Sequence, residues 1–415
     1  MPVAFLVWVF RDNLAAAGFI EESIEAWRAS GNGFPDLGRR FSEGEQQEQE
    51  ALFDQALDRL QAQALEFPDE ASGREEARAR ILSGAALLAS LALDLDDPEV
   101  ELLLRENFSA VGRDLAQCAR RLDPTVSVED ILQACRNAWT AGGLQALFGE
   151  EVHLTPAVFG YSMLYPYSDN YLDDAGVSRE AKLRFSSRFG LRLAGERLPA
   201  AGRLETIVWQ LISLIETQYA RADYPQVYDW LLAIHGAQED SIHQLCGGGD
   251  LDVLRLSVTK GGASVLADAY LAAGSLSEAE ARFAFRWGVL LQLGDDLQDL
   301  AADREGGFVT VFSRAAGQQP LDPLLNRTLR FAQSTMKLID ALPAAGYLKE
   351  LLRRNSISLL IRAAGDSGEL FSRPYLAELE AHSPLRFAFL QSRKELVARR
   401  MGSQKGIFEA LFLDE

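Results

Sequence analysis

The stretch from Trp287 to Asp303, WGVLLQLGDDLQDLAAD, constrains the fold of this chain more than any other segment. Its first half is almost wholly apolar, and its second half carries four aspartates. Residues four positions apart lie on one face of an α-helix, so Asp295, Asp299 and Asp303 form one acidic column. Because like charges at this spacing destabilise a helix, the pattern predicts a neutralising divalent cation, and Mg²⁺ prefers such carboxylate oxygens.

A second acidic stretch, Tyr165-Pro-Tyr-Ser-Asp-Asn-Tyr-Leu-Asp-Asp174, lies more than a hundred residues upstream. Asp169 and Asp173 are again four residues apart, and they follow aromatic rather than charged residues. This context predicts two columns that face each other across a helical bundle and share a metal cluster. The competing interpretation is two acidic helix ends on a solvated surface, because a single D-x-x-x-D pair has little specificity.

Helical patterning dominates the rest of the chain. Ala, Leu, Glu, Arg and Gln recur, runs of β-branched residues are scarce, and no fixed-period repeat is present, which predicts an all-α protein. One helix is expected over 277–303, opened by the capping pattern Ser277-Glu-Ala-Glu280. Another is expected over 128–141, with Gly142, Gly143 and Gly149 marking a loop after it.

Charge and cysteine content limit the partners and the compartment. The net charge of −19 disfavours nucleic acid and anionic membranes as general partners. Three cysteines without metal-type spacing favour a reduced, cytoplasmic protein. The apolar N-terminus lacks a basic region and a cleavage site, so we expect no signal peptide, and no apolar run is long enough for a transmembrane segment.

Both acidic stretches resemble motifs of known enzymes. Asp295-Asp-Leu-Gln-Asp299, preceded by LLQLG, is similar to the second aspartate-rich motif of the trans-prenyl diphosphate synthases. Asp169-Asn-Tyr-Leu-Asp173 resembles their first motif, with Asn170 in place of the second Asp. Together they resemble the class I isoprenoid (terpenoid) synthase superfamily over about residues 80–345.

The resemblance implies a large helical bundle around a central apolar cavity, with extra helices at both ends. The expected division is an N-terminal extension over 1–70, a catalytic bundle over 71–345 and C-terminal helices over 346–415. A cluster of two or three Mg²⁺ ions would bind the diphosphate of an allylic prenyl substrate and assist its departure. The catalytic aspartates would be Asp169, Asp173, Asp295 and Asp299, and the wider metal-binding set would add Asn170, Asp296 and Asp303.

Candidate residues for the diphosphate and the cavity also follow from the resemblance. Lys260-Gly261-Gly262 is similar to the Lys-Thr-Gly element whose lysine contacts diphosphate, and its glycines would allow a close backbone approach. Arg304, Arg179 and Lys182 are further candidates for diphosphate contacts. Aromatic rings near the two columns would line the cavity and stabilise a carbocation; they are Tyr161, Tyr165, Tyr171, Phe283 and Trp287.

Departures from the pattern leave three functions open. The Arg-Arg pair expected after the first motif and the Gly-Lys expected after the second are both missing. These losses favour a single-substrate enzyme of the terpene cyclase kind over chain elongation with isopentenyl diphosphate. The third alternative is a catalytically silent bundle that binds a prenyl lipid or serves as an accessory subunit. Homodimerisation stays open.

Overall fold

The computed structural model describes residues 14–68, 73–95, 107–174, 176–244, 252–318, 320–400 and 412, without the side chains of 14–16, 173, 240–244 and 397–400. Over these residues the chain is all-α, as predicted, and has no strand. Two short 3₁₀ helices span Ile339–Ala341 and Gly368–Leu370. The α-helices are α1 Leu14–Ala29, α2 Glu43–Leu65, α3 Arg74–Leu93, α4 Ser109–Leu122, α5 Val128–Phe148, α6 Pro156–Asp173, α7 Arg179–Leu193, α8 Arg203–Gln218, α9 Pro225–Gln244, α10 Val253–Ala273, α11 Glu278–Gln298, α12 Leu300–Gly306, α13 Val311–Ala315, α14 Asp322–Leu338, α15 Gly346–Asp366, α16 Arg373–Glu380 and α17 Phe387–Arg400.

Local capping interactions set where several helices begin. The predicted capping box at the start of α11 is present, because the Ser277 hydroxyl accepts from the Glu280 amide and the Glu280 carboxylate accepts from the Ser277 amide. Ser42 and Glu45 form the same arrangement at the start of α2. These reciprocal bonds satisfy backbone donors that would otherwise lack partners.

Two predicted boundaries were wrong. Helix α5 continues through Gly142 and Gly143 and ends at Gly149, whose φ of 78° closes it. A mid-helix glycine costs only about 1 kcal/mol, and burial in the core offsets this. The single helix expected over 277–303 is interrupted at Asp299. Two helical hydrogen bonds nevertheless continue across the interruption. The amide of Asp299 donates to the Asp295 carbonyl at 2.8 Å, and the amide of Asp303 donates to the Asp299 carbonyl at 2.8 Å.

Helix α10 lies at the centre of the bundle and is buried along most of its length. It packs against α5, α9 and α11, while α6 packs against α5 and α8. One apolar core joins these helices with α1, through Ile20 and Ile24, and with α15, through Leu360. Helices from both terminal segments therefore share the core of the central bundle. Within the described part of the chain, no helix is both long and apolar enough to cross a membrane.

Candidate functional site

The second acidic motif lies at the end of α11, where the helix is interrupted. Asp295 is accessible to solvent on one side and packed against protein on the other. Desolvation by this packing and the negative charge of Asp299 raise the pKa of Asp295. Desolvation and the charges of Asp299 and Asp295 raise the pKa of Asp303 to about 6, although Thr310 hydrogen-bonds its carboxyl. Neighbouring negative charge in the column therefore contributes to the raised pKa of both Asp295 and Asp303.

Lys260 is brought to this column by an unusually close helix crossing. A Cβ on Gly288 of α11 would lie 2.1 Å from the carbonyl oxygen of Gly261 on α10, and one on Gly261 would lie 2.5 Å from the carbonyl oxygen of Gly288. Only glycine fits both positions. The predicted close approach of the glycines after Lys260 is confirmed, and the neighbour is a helix. The positive charge of Lys260 lowers the pKa of both Asp295 and Asp303.

Arg136 adds a second cation to the same place, and the sequence reasoning missed it. It is an exposed residue of α5, a helix that packs against α10. Its charge, like that of Lys260, lowers the pKa of Asp295. No motif marks Arg136; the available signal was a lone charge in the small, apolar stretch Ala134-Cys-Arg-Asn-Ala-Trp139. Two positive charges, from α5 and α10, thus act on Asp295 of α11.

Asp296, predicted as a supporting metal ligand, faces the interior between α10 and α11. It is 4% exposed. Ser257 donates to one of its carboxyl oxygens at 2.8 Å, and Gln292 donates to the other at 2.8 Å. Burial raises its pKa to about 6 in spite of these hydrogen bonds. The structure therefore places Asp296 in a polar contact between helices rather than on the column of Asp295.

The first acidic motif, at the end of α6, is held by amides. The side-chain nitrogen of Gln238 on α9 donates to both carboxylate oxygens of Asp169 at 2.9 Å, and the Ser168 hydroxyl donates to one of them at 3.1 Å. The side chain of Asn170 points to α5 instead, where its nitrogen donates to Asp130 at 2.9 Å. Asp173 ends the helix, and its side chain lies outside the described residues.

A buried polar network lies between α5, α6 and α10. Asp268 is 2% exposed and accepts a hydrogen bond from the Asn137 amide at 2.8 Å, and Asn137 in turn accepts from Ser162 at 2.8 Å. Burial raises the pKa of Asp268 well above its usual value, which favours the neutral acid. The network was not anticipated, because a single Asp within an apolar helix carries no motif.

Tyr161 connects this network with both motifs. Burial and the charges of Asp268 and Asp169 raise the pKa of Tyr161, which hydrogen-bonds Ser264. Ser264 and Lys260 are four residues apart on α10 and therefore share one helix face. Ser264 on this face hydrogen-bonds Tyr161, and Lys260 acts on the aspartates of the second motif. Tyr161, one of the five aromatic residues expected to line a cavity, therefore belongs to the buried polar network.

The other four aromatic residues have different surroundings. Tyr165 is 46% exposed. The ring of Tyr171 packs edge-on against Phe185 of α7, with centroids 5.1 Å apart. Phe283 and Trp287 are buried in the core, where their rings stack at 5.8 Å.

The remaining cationic candidates lie on the surface. Arg304 and Arg179 are exposed and Lys182 is half-buried. None of the three forms a hydrogen bond or ion pair with another residue in the described part of the chain. Their side chains are therefore available to a ligand, but the structure does not direct them to the aspartates as it does Lys260 and Arg136.

Two cavities lie away from the motif aspartates. The larger, about 1310 Å³, opens between α4, α7 and α8, and the smaller, about 250 Å³, lies between α15 and α17 beside Gln298. No group of three or more His, Cys, Asp or Glu side chains among the described residues is arranged to hold a metal ion. The side chain of Asp173, one of the predicted ligands, lies outside the described residues.

Comparisons with protein-family models, curated proteins and solved structures found no match to this chain. Its function must therefore be inferred from its own residues and their geometry.

Proposed function

We propose that this protein is a Mg²⁺-dependent class I isoprenoid synthase that ionises an allylic prenyl diphosphate. The observation that carries the proposal is the acidic column of Asp295, Asp299 and Asp303 at the end of α11, on which positive charges of other helices act. Lys260 of α10 lowers the pKa of Asp295 and Asp303, and Arg136 of α5 lowers that of Asp295. Carboxylates that repel one another gain most from a divalent cation, and lysine and arginine at the same place suit an anionic substrate.

The chemistry of the side chains fits this role. The column offers hard carboxylate oxygens, which suit Mg²⁺, and bound Mg²⁺ would stabilise negative charge on a departing diphosphate as a Lewis acid. Lys260 and Arg136 would hold the diphosphate by charge-assisted hydrogen bonds. Gln238 would keep the Asp169 carboxylate in one orientation at the opposite helix end.

Cyclisation and chain elongation remain alternatives within this class. Elongation with isopentenyl diphosphate needs cations for a second diphosphate, and the expected Arg-Arg pair is missing from the sequence. Arg136 supplies one cation that the motifs did not predict. We favour a single-substrate enzyme, because two cations beside one acidic column match one diphosphate.

A silent bundle that binds a prenyl lipid or supports a partner enzyme is the second candidate. It is favoured by the first motif, where Asn170 bonds Asp130 rather than facing Asp169, and where Gln238 already satisfies Asp169. Such a protein would bind its ligand without releasing diphosphate.

The test is diphosphate release from C10, C15, C20 and longer prenyl diphosphates, with and without isopentenyl diphosphate and Mg²⁺. Asp295→Ala, Asp169→Ala and Lys260→Met should each abolish most of the release, whereas Arg59→Met, an exposed arginine of α2, should not. Release without isopentenyl diphosphate supports a cyclase, and release only in its presence supports elongation. No release from any substrate overturns the catalytic proposal and leaves the silent bundle.

A further inference from the structure

A basic groove of about 1310 Å³ lies on a surface that the proposed reaction does not use. It is formed by the end of α4, the end of α7 with the loop after it, and one face of α8. Four arginines and one glutamate line it, although the whole chain carries a net charge of −19. We call it the arginine groove and define it by Arg121, Arg192, Arg197, Arg221 and Glu216.

Two of the arginines are fixed in the groove by one carboxylate. Arg192 donates to both oxygens of Glu216 at 2.6 Å, and Arg221 donates to one of them at 2.8 and 2.9 Å. Desolvation acts to raise the pKa of Glu216, but these hydrogen bonds hold it below its usual value, so the glutamate is ionised at neutral pH. Two positive charges against one negative charge leave this part of the groove basic.

The position of Arg221 is further fixed by its surroundings. Its guanidinium lies 3.8 Å from the centroid of the Tyr228 ring and donates to the carbonyl oxygen of Leu193 at 2.6 Å. Gly195, with φ of 100°, lets the loop pass so close that a Cβ there would lie 3.4 Å from the Arg221 side chain. Contacts within the protein therefore hold Arg221 in place in this part of the groove.

The other two arginines lack a carboxylate partner among the described residues. Arg121 is exposed and donates to the Cys118 sulfur at 3.1 Å, and Arg197 is exposed in the loop after α7. Apolar side chains also line the groove, including those of Leu198, Leu214 and Trp209. Guanidinium groups and apolar side chains in one groove suit a ligand that carries both carboxylates and apolar groups.

We propose that the arginine groove docks an acidic peptide segment of a partner protein that carries apolar side chains between its carboxylates. The groove is larger than the 300–1,000 Å³ of typical small-molecule pockets and is open to solvent, which fits a chain segment better than an enclosed metabolite. Its charge is opposite to that of the rest of the surface. Because salt screens charges beyond about 8 Å, the local arginines outweigh the distant acidic residues in an encounter with a carboxylate.

The test measures binding of a fluorescent peptide of Glu, Leu and Gly by anisotropy, beside a peptide with Lys in place of Glu. The Arg121→Glu/Arg197→Glu protein should bind the acidic peptide at least about tenfold more weakly. The matched control is Arg59→Glu/Arg373→Glu, which makes the same charge change at two exposed arginines outside the groove. Binding to the control protein should stay within about twofold of the unmodified protein, and it should weaken with added salt.

Three results would overturn the proposal. The acidic peptide binds no more tightly than the basic one, both double variants weaken binding equally, or inorganic diphosphate binds with the same arginine dependence while the peptide does not. The last result would identify a small-anion site instead. Both double variants leave Asp295, Lys260 and Arg136 unchanged, so diphosphate release reports the proposed catalytic function separately.

Discussion

The two acidic helix ends differ in what surrounds their carboxylates. At the end of α6, an uncharged amide from Gln238 satisfies both oxygens of Asp169. At the end of α11, Asp295 and Asp303 repel each other, and the charges that oppose them, including Lys260, come from other helices. A similar spacing in the sequence thus produces one end that hydrogen bonds have already ordered and one that would gain most from a cation.

The largest effect should separate Asp295 at the end of α11 from Asn170 at the end of α6. Asp295→Ala should slow diphosphate release by about 10²–10³-fold, because it removes charge stabilisation at the reacting group. Asn170→Ala should leave the rate within about twofold, since its amide bonds Asp130 on α5. Release is measured at saturating Mg²⁺, with circular dichroism as the check on folding. Equal losses in the two variants would show that both motifs hold the metal through all their polar residues.

The next effect concerns glycines at which helices that carry the two acidic ends pack closely on a neighbour. They are Gly288 of α11, which approaches α10, and Gly160 of α6, which approaches α8. In Gly288→Ala the new methyl group would lie 2.1 Å from the Gly261 carbonyl oxygen, and in Gly160→Ala it would lie 2.7 Å from that of Leu211. We expect the free energy of unfolding to fall by about 3 kcal/mol in the first and about 1–2 kcal/mol in the second. In Gly18→Ala of α1, the new methyl group would have no described atom outside its own helix turn within 4 Å, and the variant should gain about 0.5–1 kcal/mol. Urea denaturation gives the order, and a different order would contradict the close crossing beside Lys260.

A smaller effect, on the Mg²⁺ requirement, should come from removing the Gln238 amide that holds Asp169 at the end of α6. Gln238→Leu removes both hydrogen bonds from the Gln238 side-chain nitrogen to Asp169 and should raise the Mg²⁺ concentration for half-maximal release by about tenfold. Gln133→Leu removes a bond to Asn170 instead and is the matched control. If both variants require the same Mg²⁺ as the unmodified protein, Asp169 does not depend on its amide partner.

The smallest effect concerns Asp268, which lies between the ends. Its pKa in the folded protein lies above its value in the unfolded chain, so the folded state binds the additional proton. Stability should therefore fall as the pH rises above the unfolded pKa of about 3.9. Asp268→Asn removes this dependence and keeps an acceptor for Asn137. Denaturation at pH 4.5 and pH 8 should show a larger gain for the variant at pH 8, and equal differences would contradict a buried neutral acid.

The sequence predicted the helices and the close backbone approach of the glycines after Lys260 because these depend on short-range patterns. The capping box at Ser277, the end of α6 near Asp173 and the two glycines after Lys260 are readable from neighbouring residues. The interruption at Asp299 was missed, because an apolar and acidic periodicity continues across it.

The residues that hydrogen-bond the candidate-site side chains could not be predicted from the sequence in the same way. Gln238 is 69 residues from Asp169 in the chain, and Asn137 is 131 residues from Asp268. A local sequence pattern does not predict which residues so far apart in the chain will form a hydrogen bond. The same limit applies to Asp296, which has the sequence context of a ligand and is buried against Ser257.

The sequence by itself determined an all-α chain with two acidic helix ends. Helical periodicity and capping act within about four residues, so they are determined locally. Only the tertiary structure decided which carboxylates are satisfied by amides and which face cations, because helix packing brings Gln238, Lys260 and Arg136 to them. The contrast between the surroundings of the two ends is therefore a property of the packed bundle.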